Sequence, residues 1–416
     1  MNKRDYLAGL LSGLLIAVFI ISCILCGRLL LSAGNGYEQN SMTFAGRPDN
    51  ASDAVSSDQA YFDYDVIEKV NLLRSTINYY YVEDLDDEIL ADGLYNGLMD
   101  SLGDPYAAYY TPEQWVDMQN STEGIYYGIG AYMKKDTVTG YPQITGVIRN
   151  TPAEECGIQI DDYIHLVDGI DVFDMNLTDV TSMIKGPEGT TVTLTLVRPS
   201  SGKEFEVTLE RRKVETPTVE YEMLDNGIGY IEITEFDSVT VDQFAEALAI
   251  VKGNGMKGLI LDLRGNPGGN LSAVVEISRM LLPEGLIVYT EDKYGNRNEY
   301  TCDGSRCINV PMVVLVNGGS ASASEILAGA IKDYGIGTLV GTTTYGKGIV
   351  QRLIALDDGS AIKLTVSHYY TPLGNDIHQI GIAPDVELEF DAESYAEDQS
   401  DNQLDRAVEI LMEQIR

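Results

Sequence analysis

The residues with the clearest chemical potential are Ser322 and Lys347. Ser322 lies in the segment VLVNGGSASASE (314–325), and Lys347 lies in YGKGIVQ (345–351). The chain has only 3 histidines and no Gly-x-Ser-x-Gly sequence. If Ser322 is a nucleophile, lysine is therefore a better candidate than histidine for its base. The pair predicts a hydrolase of the Ser–Lys type.

Ser322 follows an apolar segment and precedes a predicted helix. Its hydroxyl is expected near the positive end of that helix, where a developing anion is favoured. Ser320 and Ser324 are competing candidates, because any serine in this run can instead cap the helix.

Lys347 stands between Gly346 and Gly348, and glycine allows a close approach of backbone and substrate. A lysine base must be neutral, and burial lowers a lysine pKa. The alternative is an exposed lysine on a glycine-rich loop. Gln351 lies four residues after Lys347, which is about 13 Å along an extended strand. It can therefore orient Lys347 only if the chain turns at the glycines.

A second glycine-rich loop, DLRGNPGG (262–269), can supply an oxyanion hole. Such a site needs fixed N–H donors. The candidates are the N–H group of Gly268 or Gly269, together with that of Ala323. The alternative is a strand-to-helix turn that binds nothing.

Composition limits the function further. The 416 residues suggest two or three domains. The net charge of −36 disfavours nucleic-acid binding, because the field of the protein repels phosphate. No metal or cofactor is expected.

Residues 1–33 are predicted to form a short cytoplasmic stub and a transmembrane helix. Lys3 and Arg4 precede an apolar run, 7–27, that is long enough to cross a hydrocarbon core of about 30 Å. The positive flank places the N-terminus inside the cell. The predicted location is the cell membrane, with a single span and the catalytic part extracytoplasmic. A long signal peptide, and a lipoprotein signal at Cys23, remain alternatives.

The rest of the chain divides by composition. Residues 34–60 are predicted to be a flexible linker, and 61–115 an N-terminal helical region with two amphipathic helices. Strands and helices alternate over 213–390, which predicts a layered α/β domain. Residues 391–416 are predicted to be a solvated acidic linker followed by a C-terminal helix.

Residues 116–212 resemble a PDZ domain, through the Gly-Ile-Gly turn and the segment TPAEECGIQIDDYIHLVDG. The turn at Gly128, Ile129 and Gly130 corresponds to the carboxylate-binding loop, and its backbone N–H groups suit an anion. Lys185 is predicted to add a positive charge near the bound carboxylate. The alternative is that the glycines only shape a tight turn.

Cys302 and Cys307 bracket the turn-forming sequence DGSR. In an oxidising location they are predicted to form a disulfide across a hairpin.

Taken in order, these motifs resemble those of the C-terminal processing (tail-specific) proteases. The resemblance covers roughly 61–416 and includes LGDPYAAYYTPEQ, LDLRGNPGGNL, VNGGSASASEILAGA, TYGKGIVQ and YYTPLGNDIHQIGIAPD. It implies a multidomain α/β fold: a crotonase/Clp-like protease core with an inserted PDZ domain and helical terminal regions. It also implies Ser322 as nucleophile, Lys347 as base, Gln351 as its orienting partner, and Gly268 and Ala323 as the oxyanion hole.

The partners implied by this resemblance are unstructured C-terminal tails of proteins and a second copy of the chain, bound through the terminal helices. Two rival functions differ in class. One is a non-catalytic PDZ scaffold, which the presence of Ser322, Lys347 and Gln351 disfavours. The other is acyl-thioester chemistry, which the PDZ segment and the outside location disfavour.

Overall fold

The computed structural model describes residues 64–415. The predicted transmembrane segment (1–33) and linker (34–60) lie outside these residues. Within 64–415, no helix has the length and apolar character needed to cross a membrane.

The N-terminal region is helical, as its apolar spacing predicts. Its elements are α1 (Tyr64–Tyr80), α2 (Asp87–Asp100), β1 (Ala108–Tyr110) and α3 (Pro112–Glu123). The side chain of Asp86 begins α2 by accepting hydrogen bonds from the N–H groups of Glu88 and Ile89. Neither α1 nor α2 buries a side chain in this structure, so their apolar faces are exposed.

A small β-rich unit follows. Its elements are β2 (Ile125–Gly128), β3 (Ala131–Lys135), β4 (Pro142–Val147), α4 (Pro152–Glu155), β5 (Tyr163–Val167), β6 (Ile170–Asp171), α5 (Leu177–Ile184), β7 (Thr191–Arg198), β8 (Lys203–Glu210) and β9 (Arg212–Glu215). One sheet has the order β3-β4-β5-β7-β8. Every second residue of β7 points inward, so Val192, Leu194 and Leu196 are fully buried.

The chain enters and leaves this unit through one two-stranded ladder. Strands β2 and β9 pair with each other, with Ile125 opposite Glu215 and Gly128 opposite Arg212. The unit therefore begins and ends at the same place.

The remaining region is a layered α/β structure. Its elements are β10 (Val219–Leu224), β11 (Ile228–Ile233), α6 (Thr240–Gly253), β12 (Gly258–Asp262), α7 (Leu271–Arg279), β13 (Gly285–Asp292), β14 (Arg297–Cys302), β15 (Met312–Val316), α8 (Ala323–Tyr334), β16 (Thr338–Gly341), β17 (Ile349–Ala355), β18 (Ala361–Tyr370), β19 (Val386–Glu387), α9 (Ala392–Asp398) and α10 (Asn402–Gln414).

Its main sheet has the order β10-β11-β12-β15-β16-β19, and all neighbours after β11 are parallel. Every residue of β12 and β15 is buried, which explains their continuous apolar sequences. Helices cover both faces, and α10 packs Ala407, Ile410 and Leu411 onto one of them. The apolar side of the C-terminal helix is thus covered by the chain's own sheet.

A second sheet contains β1, β18, β13 and β14 in that order, with β17 on the other edge of β18. Strand β1 comes from the N-terminal region and pairs Ala108 with Lys363. The N-terminal region is therefore part of the sheet that follows the Lys347 loop.

One expectation was wrong. Cys302 and Cys307 are free thiols, and no disulfide joins them. The hairpin is β13–β14, which ends at Cys302, and the Cys302 Sγ lies 3.3 Å from the carbonyl oxygen of Leu282. The acidic segment 391–400 is largely exposed, as expected; it forms α9, and the carboxylate of Asp401, just after it, binds Arg264 at 2.8 Å.

Candidate active site

Ser322 lies at the tight turn between β15 and α8. Its backbone has φ 54° and ψ −110°, a conformation that non-glycine residues rarely adopt. Its carbonyl oxygen accepts a hydrogen bond from the Tyr369 hydroxyl at 3.1 Å. Strained backbone of this kind is often found at functional sites, where the surrounding structure holds it in place.

The neighbouring serines have structural contacts. The Ser320 hydroxyl donates to the carbonyl oxygen of Leu263 at 2.7 Å, and the Ser324 hydroxyl donates to that of Asn266 at 3.0 Å. Both side chains are fully buried, whereas Ser322 is partly exposed. Of the three serines, Ser322 is the one that solvent reaches.

Lys347 lies in the loop between β16 and β17. The loop is packed tightly: a Cβ on Gly348 would be 2.5 Å from the backbone nitrogen of His378. The Lys347 Nζ lies 4.3 Å from the centre of the Tyr106 ring. Burial lowers the pKa of Lys347, and the charge of Lys363 lowers it further, while Asp104 and Glu325 raise it. The net lowering favours the neutral amine that a base requires.

A buried carboxylate, Glu325, joins the serine turn to the lysine loop. Its Oε2 accepts hydrogen bonds from the backbone N–H groups of Ser322 and Lys347, both at 2.8 Å. Its Oε1 accepts from the Gly346 N–H and the Thr344 hydroxyl, both at 2.7 Å. A buried charge is tolerated only with such partners, so Glu325 fixes both segments around itself.

The sequence interpretation missed Glu325. The available signal was the Ser-x-x-Glu spacing, which is typical of a helix N-terminus. That spacing predicts the contact between Glu325 and the Ser322 N–H, but it does not predict the contacts with the distant Lys347 loop.

The glycine-rich loop lies directly against the serine. A Cβ on Gly268 would be 2.7 Å from the Ser322 Cβ and 2.9 Å from the Ala323 nitrogen. The Gly268 N–H donates to the Asn266 Oδ1 at 2.8 Å, so this donor has a partner within the loop. No hydrogen bond from the Ala323 N–H is found among residues 64–415.

The side chain of Gln351 is hydrogen-bonded to a neighbouring strand in this structure. Its Nε2 donates to the Thr365 hydroxyl of β18 at 3.2 Å, and a register shift separates it from Val350. Within the described part of the chain, no hydrogen bond joins the side chains of Gln351 and Lys347.

An ion-pair cluster supports the same loop. Arg264 binds Asp262 at 2.6 Å and Asp401 at 2.8 Å, and it donates to the Gln403 Oε1 at 3.0 Å. These partners anchor the start of the glycine-rich loop to the C-terminal segment.

The predicted carboxylate-binding residues lie near one another. Lys185 ends α5, its Nζ is 5.1 Å from the centre of the Tyr126 ring, and its Cγ would be 3.8 Å from a Cβ on Gly128. Gly130 has φ 83°, and its carbonyl oxygen accepts from the Ile148 N–H. The Ile129 side chain is buried. The strands and α5 thus place a cation beside the turn.

Three family models match the chain. Residues 227–388 match peptidase family S41, residues 143–198 match a PDZ domain, and residues 29–114 match the "Activating protease CtpB N-terminal domain". The first contains Ser322, Glu325 and Lys347.

Similar proteins include the carboxyl-terminal-processing protease of Synechocystis sp., which is 38% identical over 76% of this chain and 75% of its own length. The carboxy-terminal processing protease CtpA of Bacillus subtilis is also 38% identical, over 78% of this chain and 69% of its own length. A solved structure, a photosystem II D1 C-terminal processing protease, is 33% identical and covers 76% of this chain and 86% of its own, with a TM-score of 0.46. The 38% identity to the Synechocystis and Bacillus subtilis proteins, over more than two thirds of both chains, establishes a common family. The chain therefore belongs to the carboxyl-terminal processing serine proteases of peptidase family S41, and it carries the PDZ domain found in this group.

Proposed function

We propose that the chain is a membrane-anchored serine endopeptidase that captures unstructured C-termini on its PDZ domain and hydrolyses peptide bonds with Ser322 and Lys347. The observation that carries the catalytic part is the position of Glu325. One oxygen of its carboxylate accepts the backbone N–H groups of both Ser322 and Lys347 at 2.8 Å, which holds the two residues at one site.

In this mechanism the neutral amine of Lys347 removes the proton from the Ser322 hydroxyl as it attacks the scissile carbonyl. The resulting ammonium gives that proton to the leaving amine when the C–N bond breaks. Lys347 then activates a water that hydrolyses the acyl-enzyme. Gln351 orients Lys347 once its amide leaves Thr365.

The negative oxygen of the tetrahedral intermediate is bound by the N–H of Ala323 and by that of Gly268. The Gly268 N–H becomes available when its hydrogen bond to the Asn266 Oδ1 breaks. A substrate-dependent change in the loop is therefore part of the proposal.

Substrate capture is assigned to the turn at Gly128, Ile129 and Gly130. No hydrogen bond to a backbone carbonyl is found for the N–H groups of Ile129 or Gly130 in the part of the chain that the structure describes. They are suited to a terminal carboxylate, with the tail adding as a strand, and Lys185 contributes a positive charge nearby.

Membrane attachment is proposed from the apolar run at 7–27 behind Lys3 and Arg4, with the protease outside the cytoplasm. Protease added to intact cells should digest residues 64–415. Protection until the cells are lysed would contradict this topology.

Dimer formation is proposed through the N-terminal helices. Exposed apolar side chains on α1 and α2 include Ile67, Leu73 and Ile89, whereas the apolar side of α10 is covered within the chain. Leu73→Glu together with Ile89→Glu should convert the dimer to a monomer in sedimentation experiments. A sedimentation coefficient unchanged from the wild type would contradict this interface.

The catalytic proposal is tested by incubating the full chain with a disordered protein that ends in a free apolar residue. Ser322→Ala should abolish cleavage while tail binding remains. Ser320→Ala and Ser324→Ala are the matched controls, and they should lower stability but keep the chemistry. Cleavage by Ser322→Ala would favour another nucleophile, and tail binding without any cleavage by the wild type would favour the PDZ scaffold.

A further inference from the structure

The catalytic base has an unexpected neighbour, Tyr106, which lies between α2 and β1. The Lys347 Nζ is 4.3 Å from the centre of the Tyr106 ring. This distance is within the range of a cation–π interaction. Among residues 64–415 no carboxylate lies within ion-pair distance of Lys347, and the Tyr106 ring is an aromatic group in contact with its ammonium.

Tyr106 is fixed by contacts of its backbone, of the strand that follows it and of its hydroxyl. Its backbone N–H donates to the Asp104 Oδ1 at 2.9 Å. Two residues later Ala108 pairs with Lys363 in the β1–β18 ladder. The Tyr106 hydroxyl interacts with the hydroxyl of Tyr345. The backbone N–H of Tyr345 in turn donates to the carbonyl oxygen of Ser320 at 3.0 Å. The N-terminal region thus places this ring against the active site.

We propose that Tyr106 is a positioning residue for the reaction: its ring holds the amine end of Lys347 at the site and stabilises the ammonium formed when Lys347 takes the proton from Ser322. This inference rests on the proposed role of Lys347 as base. It assigns a part of the catalytic apparatus to the N-terminal region.

The electrostatic reason lies in what surrounds Lys347. Lys363 of β18 is a like charge, while Asp104 of the preceding loop and Glu325 of α8 are opposite charges. Burial raises the pKa of Tyr106, so its phenol beside Lys347 stays neutral. A neutral ring stabilises the cation through its quadrupole, yet it leaves the amine able to lose its proton.

The expected signature is a change in the shape of the pH profile. Losing the ring face removes stabilisation from the ammonium form, so the pKa of Lys347 falls and the acid limb of kcat/KM moves to lower pH. The plateau rate at high pH also falls, because the developing ammonium is less stable. The deficit relative to wild type should therefore be largest at high pH and smaller at low pH.

The experiment measures kcat/KM against pH for the full chain, with a labelled disordered polypeptide that ends in a free apolar residue. Tyr106→Leu should lower the plateau about three- to tenfold and move the acid limb down by about 0.5–1 pH unit. Tyr106→Phe keeps the ring and should keep the acid limb in place. Tyr110→Leu is the matched control, because Tyr110 makes the same kind of contact with Lys363 at 5.6 Å.

Tyr106→Met, which is apolar and unbranched, provides the same readout if the leucine variant does not fold. A profile for these variants that overlays the wild type, or one that is lowered equally at every pH, would overturn the proposal. Lys347→Ala is measured in parallel. If Lys347→Ala is inactive, an unchanged pH profile of the Tyr106 variants contradicts the role of Tyr106 alone. If Lys347→Ala is active, the assignment of Lys347 as base and this inference both fail.

Discussion

At the scale of single residues, the Glu325 carboxylate accepts four hydrogen bonds, and three of them come from backbone N–H groups. Backbone donors cannot turn away when a side chain changes. The geometry of Ser322 and Lys347 is therefore sensitive to the chemical nature of this one acceptor.

Glu325→Gln replaces an oxygen acceptor with an NH₂ donor of nearly the same shape. At least two buried N–H or O–H groups then lose their partner, which should lower the free energy of unfolding by about 2–4 kcal/mol. We expect cleavage to be lost as well, because the serine turn and lysine loop are no longer held together. Urea unfolding and a cleavage assay on the same sample check both effects.

Ser324→Ala is the control for this change, since it also removes a buried hydrogen bond on α8. It should lower stability by about 1 kcal/mol and keep turnover. Retained cleavage by Glu325→Gln would show that the carboxylate is not required to position the site.

The charge of Lys363 offers a test of the base at the same scale. In the proposed mechanism the rate requires neutral Lys347, so kcat/KM should rise with pH through the pKa of this residue, which burial places below the ordinary lysine value. Lys363→Gln removes a charge that lowers this pKa. The pKa of Lys347 should therefore increase and the acid limb of the profile should move to higher pH.

The measurement is kcat/KM against pH, with Lys293→Gln as the control, because Lys293 is exposed and is not among the charges that shift the pKa of Lys347. Lys347→Arg should be inactive at every pH, because guanidinium does not lose its proton. A limb that moves to lower pH in Lys363→Gln, or an active arginine variant, would argue against a lysine base.

At the scale of elements, the site is formed where two loops interleave. The Ala321 N–H and the Ser324 hydroxyl both bond to the carbonyl oxygen of Asn266, in the glycine-rich loop. Gly268 has φ 104° and lies against Ser322. The serine turn and the glycine-rich loop therefore adopt their conformations together.

Gly268→Ala should cause a large loss of both stability and cleavage. The added Cβ would meet the Ser322 Cβ at 2.7 Å and the Ala321 oxygen at 2.7 Å, and the φ angle is unfavourable for alanine. We expect the free energy of unfolding to fall by about 2–4 kcal/mol. Thermal unfolding and the cleavage assay measure the two effects.

Gly265→Ala is a close control in the same loop. Gly265 has φ 69°, but a Cβ there would meet no atom within 4 Å. It should lose only about 1 kcal/mol from backbone strain and keep its activity. Equal effects of the two substitutions would show that contact with Ser322 is unimportant.

The elements that sequence predicted well are those with strong local patterns. The apolar segment before Ser322, which is β15, and the start of α8 after it both follow from nearby residues. The second sheet was not predicted, because pairs such as Ala108 with Lys363 depend on contacts far apart in the chain. The position of Tyr106 beside Lys347 could not be predicted for the same reason. The orienting role of Gln351 depended on a turn at Gly346 and Gly348, and the spacing of nearby residues does not define the shape of that turn.

At the scale of the whole molecule, the N-terminal region, the PDZ domain and the protease core each contribute to one proposed reaction. The turn proposed to bind tails lies at the end of β2, before β3, whereas Ser322 lies between β15 and α8. Capture and hydrolysis are thus expected to be separable by substrate chemistry as well as by mutation.

A disordered substrate with an amidated C-terminus should be cleaved several-fold more slowly than the same chain with a free carboxylate. The N–H groups of the 128–130 turn and the charge of Lys185 suit an anion. A C-terminal amide carries no negative charge, so it loses this interaction. The comparison is kcat/KM for the two substrates, with wild type and Lys185→Gln. Equal rates for acid and amide would remove the role of the terminal carboxylate.

The β2–β9 ladder makes the unit between these strands exchangeable in principle. Because Gly128 lies opposite Arg212 and Ile125 opposite Glu215, the whole unit between them leaves and rejoins the protease at neighbouring points. Two antiparallel strands in this arrangement can equally be closed by a tight turn. The unit can be regarded as a cassette: a binding module of different specificity that ends in two adjacent antiparallel strands would fit the same junction without a change in the connectivity of the protease.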